Sequence, residues 1–239
     1  MVNRIFCSVT ALLALLSMAL FAQMELHGGG AGGSASSSWS GGARKFQRVE
    51  KAHPRIRIEL RYATRENITG GAIYPRDMPC LLRGEAAQEL GLAQEYLERE
   101  GYRWKVWDAY RPPKSTLALW EAVPAAEYVV SPEGSWSRYG AGAAVDVPLV
   151  DSLGREMAMP TEFDHFSPKA SSTYQGEDSA AAKDWATLQR CMRRAGFATL
   201  RDAWWHFYDV DSGLVPAVSA RSFGIKLPAH VARLERPEP

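Results

Sequence analysis

The chain has few cysteines, almost no net charge and no apolar run of the length that a membrane span needs. Three cysteines in 239 residues allow at most one internal disulfide. A formal net charge of +1 gives no electrostatic reason to expect nucleic acid or an anionic membrane as a partner. The apolar run from Val9 to Phe21 is shorter than the roughly 20 residues that cross a bilayer.

What remains is the composition of a globular protein, with 46% hydrophobic and 23% charged residues. Once the N-terminus is set aside, the length suffices for about one ordinary domain with a sizeable core. Tryptophan is unusually frequent, and several copies lie in the motifs described below: Trp104, Trp107, Trp204 and Trp205.

Residues 1–22 have the three parts of a secretory signal peptide, namely an early Arg4, the apolar run and small Ala22 at the cleavage position. A retained N-terminal anchor is the alternative. Cleavage predicts an exported protein, periplasmic or extracellular, with no membrane span left in the mature chain. Residues 23–45 are rich in glycine and serine and predict a flexible linker.

Cleavage would leave two cysteines, Cys80 and Cys191. Export permits a disulfide between them, but two separate cysteines are equally compatible with buried thiols. We favour free, buried thiols.

Apolar periodicity predicts helices and short strands that do not alternate strictly. This favours a single α+β domain over residues 46–225, with a mixed or antiparallel sheet and helices packed around it, and a tail over residues 226–239. The predicted strands cover 54–62, 104–108, 143–149 and 204–210, and the predicted helices cover 82–101, 114–122 and 180–195.

Three motifs follow one another in order along this domain. The first is Asp108-Ala109-Tyr110-Arg111-Pro112, the second runs from Ser137 to Asp146, and the third is Ala203-Trp204-Trp205-His206. Together with Arg61-Tyr62-Ala63-Thr64, Cys80-Leu81-Leu82-Arg83 and Phe163-Asp164, they resemble the D-alanyl-D-alanine dipeptidase family over about residues 57–210. That resemblance implies the same α+β fold, with a zinc site on the concave face of the sheet.

The second and third motifs imply a zinc site that this chain completes only in part. The resemblance assigns two zinc ligands to Asp146 and His206, but Tyr139 stands where the family has its histidine ligand. A phenol loses its proton only near pH 10, so it is a poorer zinc ligand at neutral pH than imidazole. Without the resemblance, Asp146 would be interpreted as a strand-edge carboxylate and His206 as a core histidine.

The family's catalytic base is also replaced, because Ala203 stands where the family has glutamate. Asp202 is adjacent, but a shift of one residue directs its side chain elsewhere. Loss of a general base typically slows a reaction by about 10²–10⁴-fold. Both substitutions affect the water that would attack the peptide, so we expect weak or absent hydrolysis.

The resemblance implies three further roles at the site. Arg111 would stabilise the oxyanion that forms on the attacked carbonyl, with Asp108 orienting it. Ser137 and Asp164 would hold the ends of the dipeptide, with Asp164 pairing with its ammonium group. The alternatives are an arginine that caps the turn before Pro112 and an aspartate on the surface.

Two other histidines are candidates for a substitute zinc ligand. His165 follows Asp164 directly, whereas His230 lies in the expected tail. A lone histidine beside aromatic residues is more often structural, and a replacement ligand would have to match the geometry of Asp146 and His206.

The resemblance implies a zinc dipeptidase that acts on D-alanyl-D-alanine in peptidoglycan metabolism, with hydrolysis weakened or lost by Tyr139 and Ala203. The alternative is an inactive protein that binds D-amino-acid dipeptides or peptidoglycan stem ends. A third hypothesis, a scaffold that has kept only the fold, explains the presence of Arg111, Asp146 and His206 less well.

Overall fold

The computed structural model describes residues 45–123, 138–174, 176–213 and 215–235. The predicted signal peptide and linker therefore lie outside the described residues, apart from Lys45. The strands are β1 (Phe46–Arg48), β2 (Arg57–Ile58), β3 (Leu81–Arg83), β4 (Arg103–Val106), β5 (Ala144–Asp146), β6 (Leu149–Val150), β7 (Phe197–Leu200) and β8 (Ala203–Asp209). The helices are α1 (Gly84–Glu98), α2 (Pro113–Ala122), α3 (Ser179–Arg194) and α4 (Ala229–Ala232).

The strands form small mixed and antiparallel sheets, so the predicted α+β class is confirmed. β1 pairs with β3, and β4 lies between β2 and β6, parallel to β2 and antiparallel to β6. β8 lies between β5 and β7 and is antiparallel to both. An isolated bridge between Asp108 and Asp146 joins the end of the β4 segment to β5.

The helix α3 follows the sequence prediction closely, and a capping residue fixes its start. The Asp178 carboxylate accepts hydrogen bonds from the backbone N–H groups of Ala180 and Ala181, which satisfies two donors that the first turn leaves free. Its buried face includes Leu188 and Met192, both with no exposed surface. The next residue after its C-terminal cap, Gly196, has a positive φ of 108°, a conformation suited to the end of a helix.

The predicted helix over residues 82–101 is wrong at its start. Leu82 and Arg83 belong to β3, where Phe46 pairs with Arg83, and α1 begins only at Gly84. The apolar residues before Gly84 fit the helical period, yet all of β3 is buried on both faces. A short buried strand and a buried helical turn have the same apolar pattern, so periodicity could not separate them.

The predicted strands were too long in two places. Of residues 54–62, only β2 pairs as a strand, although the N–H groups of Glu59 and Arg61 continue to donate to carbonyls of the Val106–Trp107 segment. The predicted strand over 143–149 is divided into β5 and β6. Pro148, which has no N–H to donate, lies directly before β6.

Both described cysteines are buried free thiols, as favoured from the sequence. Burial raises the pKa of the Cys80 thiol well above its ordinary value. The segment expected as a tail contributes α4, which packs against α2 with Val231 fully buried. Within the described ranges, none of the helices has the length and apolar character of a membrane span.

Gly142 makes the close contact that fixes the loop before β5. Its φ is 72°, and a Cβ at this position would lie 2.1 Å from the ring of Phe46. That ring is only 3% exposed and makes edge contacts with Tyr110 and Phe223, so it cannot move aside at low cost. The carbonyl of Gly142 also accepts the N–H of Arg83, which ties this loop to β3.

We therefore expect Gly142→Ala to lower the free energy of unfolding by about 2–4 kcal/mol, the sum of backbone strain and overpacking. Urea unfolding followed by circular dichroism measures this loss. Gly70→Ala is the matched control, because Gly70 has a φ of 66° but an added Cβ would meet no atom within 4 Å beyond its chain neighbours. The control should lower the free energy of unfolding only by the backbone strain of a positive φ, roughly 1 kcal/mol. Equal losses in the two variants would show that the Phe46 contact does not matter.

Candidate active site

The candidate site forms where β5 and β8 pair. Their antiparallel register sets Asp146 directly opposite His206, and both side chains are buried, with exposures of 1% and 3%. Asp146 Oδ1 lies 3.1 Å from His206 Nδ1. The strand pairing therefore brings together two of the sequence-predicted site residues that are 60 positions apart in the chain.

Tyr139 completes a triangle with this pair. Its hydroxyl donates to Asp146 Oδ1 at 2.6 Å and lies 2.5 Å from His206 Nδ1. The residue belongs to a turn in which the Gly142 N–H donates to the Tyr139 carbonyl. Burial and the Asp146 carboxylate raise the pKa of the phenol well above its ordinary value, which favours the protonated hydroxyl.

Arg111 lies beside this triangle as part of a buried ion pair. Its Nε and Nη2 atoms donate to Asp108 Oδ2 at 2.9 and 2.6 Å, and Tyr74 donates to the other oxygen of Asp108 at 2.6 Å. Burial alone would lower the pKa of Arg111, but Asp108 reverses this and raises it well above its usual value. The guanidinium is thus a fixed positive charge.

The guanidinium of Arg111 also contacts two aromatic rings. Its central carbon lies 4.0 Å from the ring centroid of Tyr139 and 4.8 Å from that of Tyr62. Arg111 Nη2 is 4.0 Å from Asp146 Oδ2. The arginine motif and the Tyr139 triangle therefore form one continuous cluster.

Asp164 lies at the other end of Tyr62. The Tyr62 hydroxyl donates to Asp164 Oδ1 at 3.0 Å, and the Ile68 N–H donates to Oδ2 at 3.2 Å. Asp164 is 5% exposed and has a positive φ of 58°, so it is not the surface aspartate of the alternative interpretation. Burial outweighs both hydrogen bonds and raises the pKa of this carboxyl to about 7.

Phe163 anchors an aromatic wall beside these polar groups. Its ring centroid lies 5.6 Å from that of Tyr62, 5.1 Å from that of Trp107 and 5.7 Å from that of Trp205. Phe163 directly precedes Asp164, so the wall fixes the position of that carboxylate. Trp107 and Trp205 of the sequence motifs thus have a structural role, because they pack against Phe163 beside the charged residues.

The position of the family's glutamate provides no base. Ala203 is the first residue of β8, and its side chain has no ionisable group. The side chain of the preceding Asp202 is 51% exposed, and its carboxylate lies 4.0 Å from Arg201 Nε. As the sequence predicted, Asp202 is directed away from the buried site.

The described residues do not provide a third metal ligand of the usual kind. His165 and His230 are both exposed, and across the described ranges no three His, Cys, Asp or Glu side chains lie together as a metal site would require. A catalytic zinc ordinarily has three such ligands and one open position. Asp146 and His206 alone, joined by a phenol hydroxyl, do not fit that donor set. Ser137 lies outside the described residues.

Sequence reasoning missed the two tyrosines that hold the carboxylates. Tyr62 was part of a matched motif but had no role, and Tyr74 was not singled out. Tyr74 contacts Asp108 from 34 positions away, and no short spacing links them. Only the three-dimensional fold brings these hydroxyls to their partners.

The fold is α+β and the site is a buried cluster of charged and aromatic side chains, and comparisons with known proteins identify the family. The family model described as D-ala-D-ala dipeptidase matches residues 42–223. A D-alanyl-D-alanine dipeptidase from Escherichia coli (strain K12) is 33% identical over 154 residues, which cover 64% of this chain and 79% of the relative. Those from Enterococcus faecalis and Streptomyces coelicolor are 26% and 27% identical, over 65% and 68% of this chain and 87% and 90% of the relatives.

This chain therefore belongs to the D-alanyl-D-alanine dipeptidase family. The family consists of zinc-dependent hydrolases, and its dipeptide substrate is D-alanyl-D-alanine. The family resemblance found in the sequence motifs is confirmed.

The raised pKa of Asp164 predicts a specific pH dependence of stability. An unfolded aspartate has a pKa near 3.9, whereas the folded value is about 7. The folded state therefore holds the proton more tightly, and its advantage is lost as the pH rises between these values. Across this window we expect the unfolding free energy of the unchanged chain to fall roughly 2–4 kcal/mol more than that of Asp164→Asn.

Urea unfolding of both proteins at several pH values measures this difference. Asp151→Asn is the control of opposite sign, because hydrogen bonds from Arg155 and Leu153 lower the pKa of the partly exposed Asp151. Its contribution is lost as the pH falls instead. Parallel curves for the unchanged chain and Asp164→Asn would mean that burial does not shift Asp164.

Proposed function

We propose that the chain binds D-alanyl-D-alanine, or a peptide that ends in it, at this site, and that its hydrolysis is weak or lost. The observation that carries the proposal is the placement of two buried side chains, a basic Arg111 on the ring face of Tyr62 and an acidic Asp164 at the Tyr62 hydroxyl. A free dipeptide is a zwitterion with one positive and one negative end. The family's own dipeptide substrate supports the same ligand.

Asp164 is the group that we assign to the ammonium end of the ligand. It is buried, and its two oxygens already accept hydrogen bonds, so its position is fixed before a ligand arrives. An ammonium beside it would lower its pKa and return it to the ionised form. The proton that burial favours is thus released when the dipeptide binds.

Arg111 is the group that we assign to negative charge on the ligand. Its two hydrogen bonds to Asp108 Oδ2 fix the guanidinium plane, and a fixed donor of this kind stabilises a developing oxyanion without reorganising. The turn-capping alternative does not account for this buried ion pair. Ser137 stays a proposed contact for the other end of the dipeptide.

Weak hydrolysis follows from the two substituted positions. Ala203 cannot accept a proton, and the adjacent Asp202 is too exposed to act in its place. Tyr139 supplies a protonated hydroxyl where the family has an imidazole ligand. We propose a peptidoglycan fragment as a natural ligand. The alternative, a binding protein that does not hydrolyse its ligand, differs from this proposal only in the rate of hydrolysis.

We also propose export, which rests on residues 1–22 and their resemblance to a signal peptide. N-terminal sequencing of the protein recovered outside the cytoplasm would test it. A mature chain that begins at Gln23 is the expected result. An uncleaved Met1 would contradict cleavage and favour the retained anchor, and protein found in the cytoplasm alone would contradict export.

Restoring both family residues should restore hydrolysis. We expect the double variant Tyr139→His, Ala203→Glu to cleave D-alanyl-D-alanine in the presence of zinc at least about 100-fold faster than the unchanged chain, because a general base alone contributes about 10²–10⁴-fold. Released D-alanine, measured by an enzyme-coupled assay, gives the rate. Each single variant should recover less than the double variant.

Arg111→Lys in the double-variant background provides the control for the site itself. Lysine keeps the charge but cannot make the paired Nε and Nη2 hydrogen bonds to Asp108 Oδ2, so the recovered rate should fall again. Arg155→Lys alters an exposed arginine that is paired with Asp151 and should leave the rate unchanged. A folded double variant without activity would show that the site is misplaced.

A further inference from the structure

The Tyr139 hydroxyl lies close to where a metal ion would join Asp146 and His206. Zinc bonds to such oxygen and nitrogen atoms at about 2.0–2.2 Å, and two ligands around a tetrahedral ion are then about 3.4 Å apart. The Asp146 and His206 atoms are 3.1 Å apart, close to that separation. The phenol oxygen lies 2.6 Å from one and 2.5 Å from the other, only a few tenths of an ångström farther than an ion would.

The three contacts form a closed set of hydrogen bonds. The phenol has a single proton, and it is donated to the Asp146 carboxylate. His206 Nδ1 then makes favourable contacts with the phenol oxygen and with Asp146 only if it carries a hydrogen. An ion would need the lone pair of that nitrogen, so it would have to break the contacts with both partners.

The ring of Tyr139 adds a second contact that an imidazole ligand could not reproduce in the same form. Arg111 stacks with its guanidinium carbon 4.0 Å from the Tyr139 ring centroid. The backbone carbonyl of Tyr139 also accepts the Arg111 N–H at 3.3 Å. Tyr139 therefore supports both Asp146 and His206, which stand at the family's ligand positions, and the arginine Arg111.

We propose that the Tyr139 hydroxyl takes the structural place of the family's metal ion, so that this site is assembled without zinc. Asp146 and His206 are held by hydrogen bonds where relatives would hold them by metal bonds. The choice of dipeptide as ligand rests on the function proposed above, whereas the replacement of the ion rests on the geometry of the triangle alone.

The test is zinc binding by the purified full chain. It is measured in two ways: as the metal that stays bound after dialysis, and as the change in melting temperature (Tm) on adding zinc or a chelator. The unchanged chain should retain almost no zinc, and neither zinc nor a chelator should change its Tm. Tyr139→His restores three ligands and should bind about one zinc per chain. Changes around a metal's ligands alone alter affinity by about 10–100-fold, so a restored ligand should tighten zinc binding more than about 100-fold.

Two phenylalanine variants separate the hydroxyl from the ring. Tyr139→Phe keeps the stacked ring but opens the triangle, so its Tm should fall. Tyr102→Phe is the matched control, because the Tyr102 hydroxyl donates to the buried Asp184 at 3.1 Å, away from the site. The control should respond to zinc as the unchanged chain does.

Stoichiometric zinc in the unchanged chain, or a Tm that a chelator lowers, would overturn the proposal even if Tyr139→His did not fold. A phenolate absorption that develops on zinc addition would overturn it too, since Tyr139 would then be a ligand. Calorimetry with D-alanyl-D-alanine in chelator is a separate arm. If the dipeptide does not bind either with or without zinc, the proposed function is contradicted. The conclusion about the metal ion is then unaffected, because it depends only on the zinc measurements.

Discussion

The site depends on the backbone hydrogen bonds on either side of Asp146. On one side, the antiparallel register of β5 and β8 sets Asp146 opposite His206. On the other, the Asp146 N–H donates to the Asp108 carbonyl and the Asp146 carbonyl accepts the Trp107 N–H, both at 2.9 Å. A shift of one residue in either pairing would turn the carboxylate to the opposite face and separate the arginine motif from the rest.

This backbone arrangement is compatible with different groups at the site, because hydrogen bonds can hold side chains that a metal ion would otherwise hold. A buried carboxylate and a buried histidine each require a partner, and in this chain a phenol hydroxyl supplies it for both. Arg111 keeps its own carboxylate, Asp108. Asp146, His206 and Arg111 therefore all have polar partners within the cluster, and the central group is the Tyr139 hydroxyl instead of a metal ion.

Sequence reasoning located helices with a clear apolar period and the residues that stand in recognisable motifs. The apolar face of α3 is one example, and the family motifs that contain Asp146 and His206 are another. It failed where the determining contacts are remote in the chain. Leu82 entered a strand because it pairs with Gln47, and Tyr74 acquired its role only through Asp108, so neither could be predicted from neighbouring residues.

The stacking of Arg111 on Tyr139 has a consequence for how this site can change. Two residues that share a contact do not respond independently, and their coupling is typically about 0.5–3 kcal/mol. A substitution that returns an imidazole to position 139 also removes the ring beneath the arginine. Metal affinity and arginine placement are thus epistatic here, and a double-mutant cycle would find that the effect of either change depends on the other.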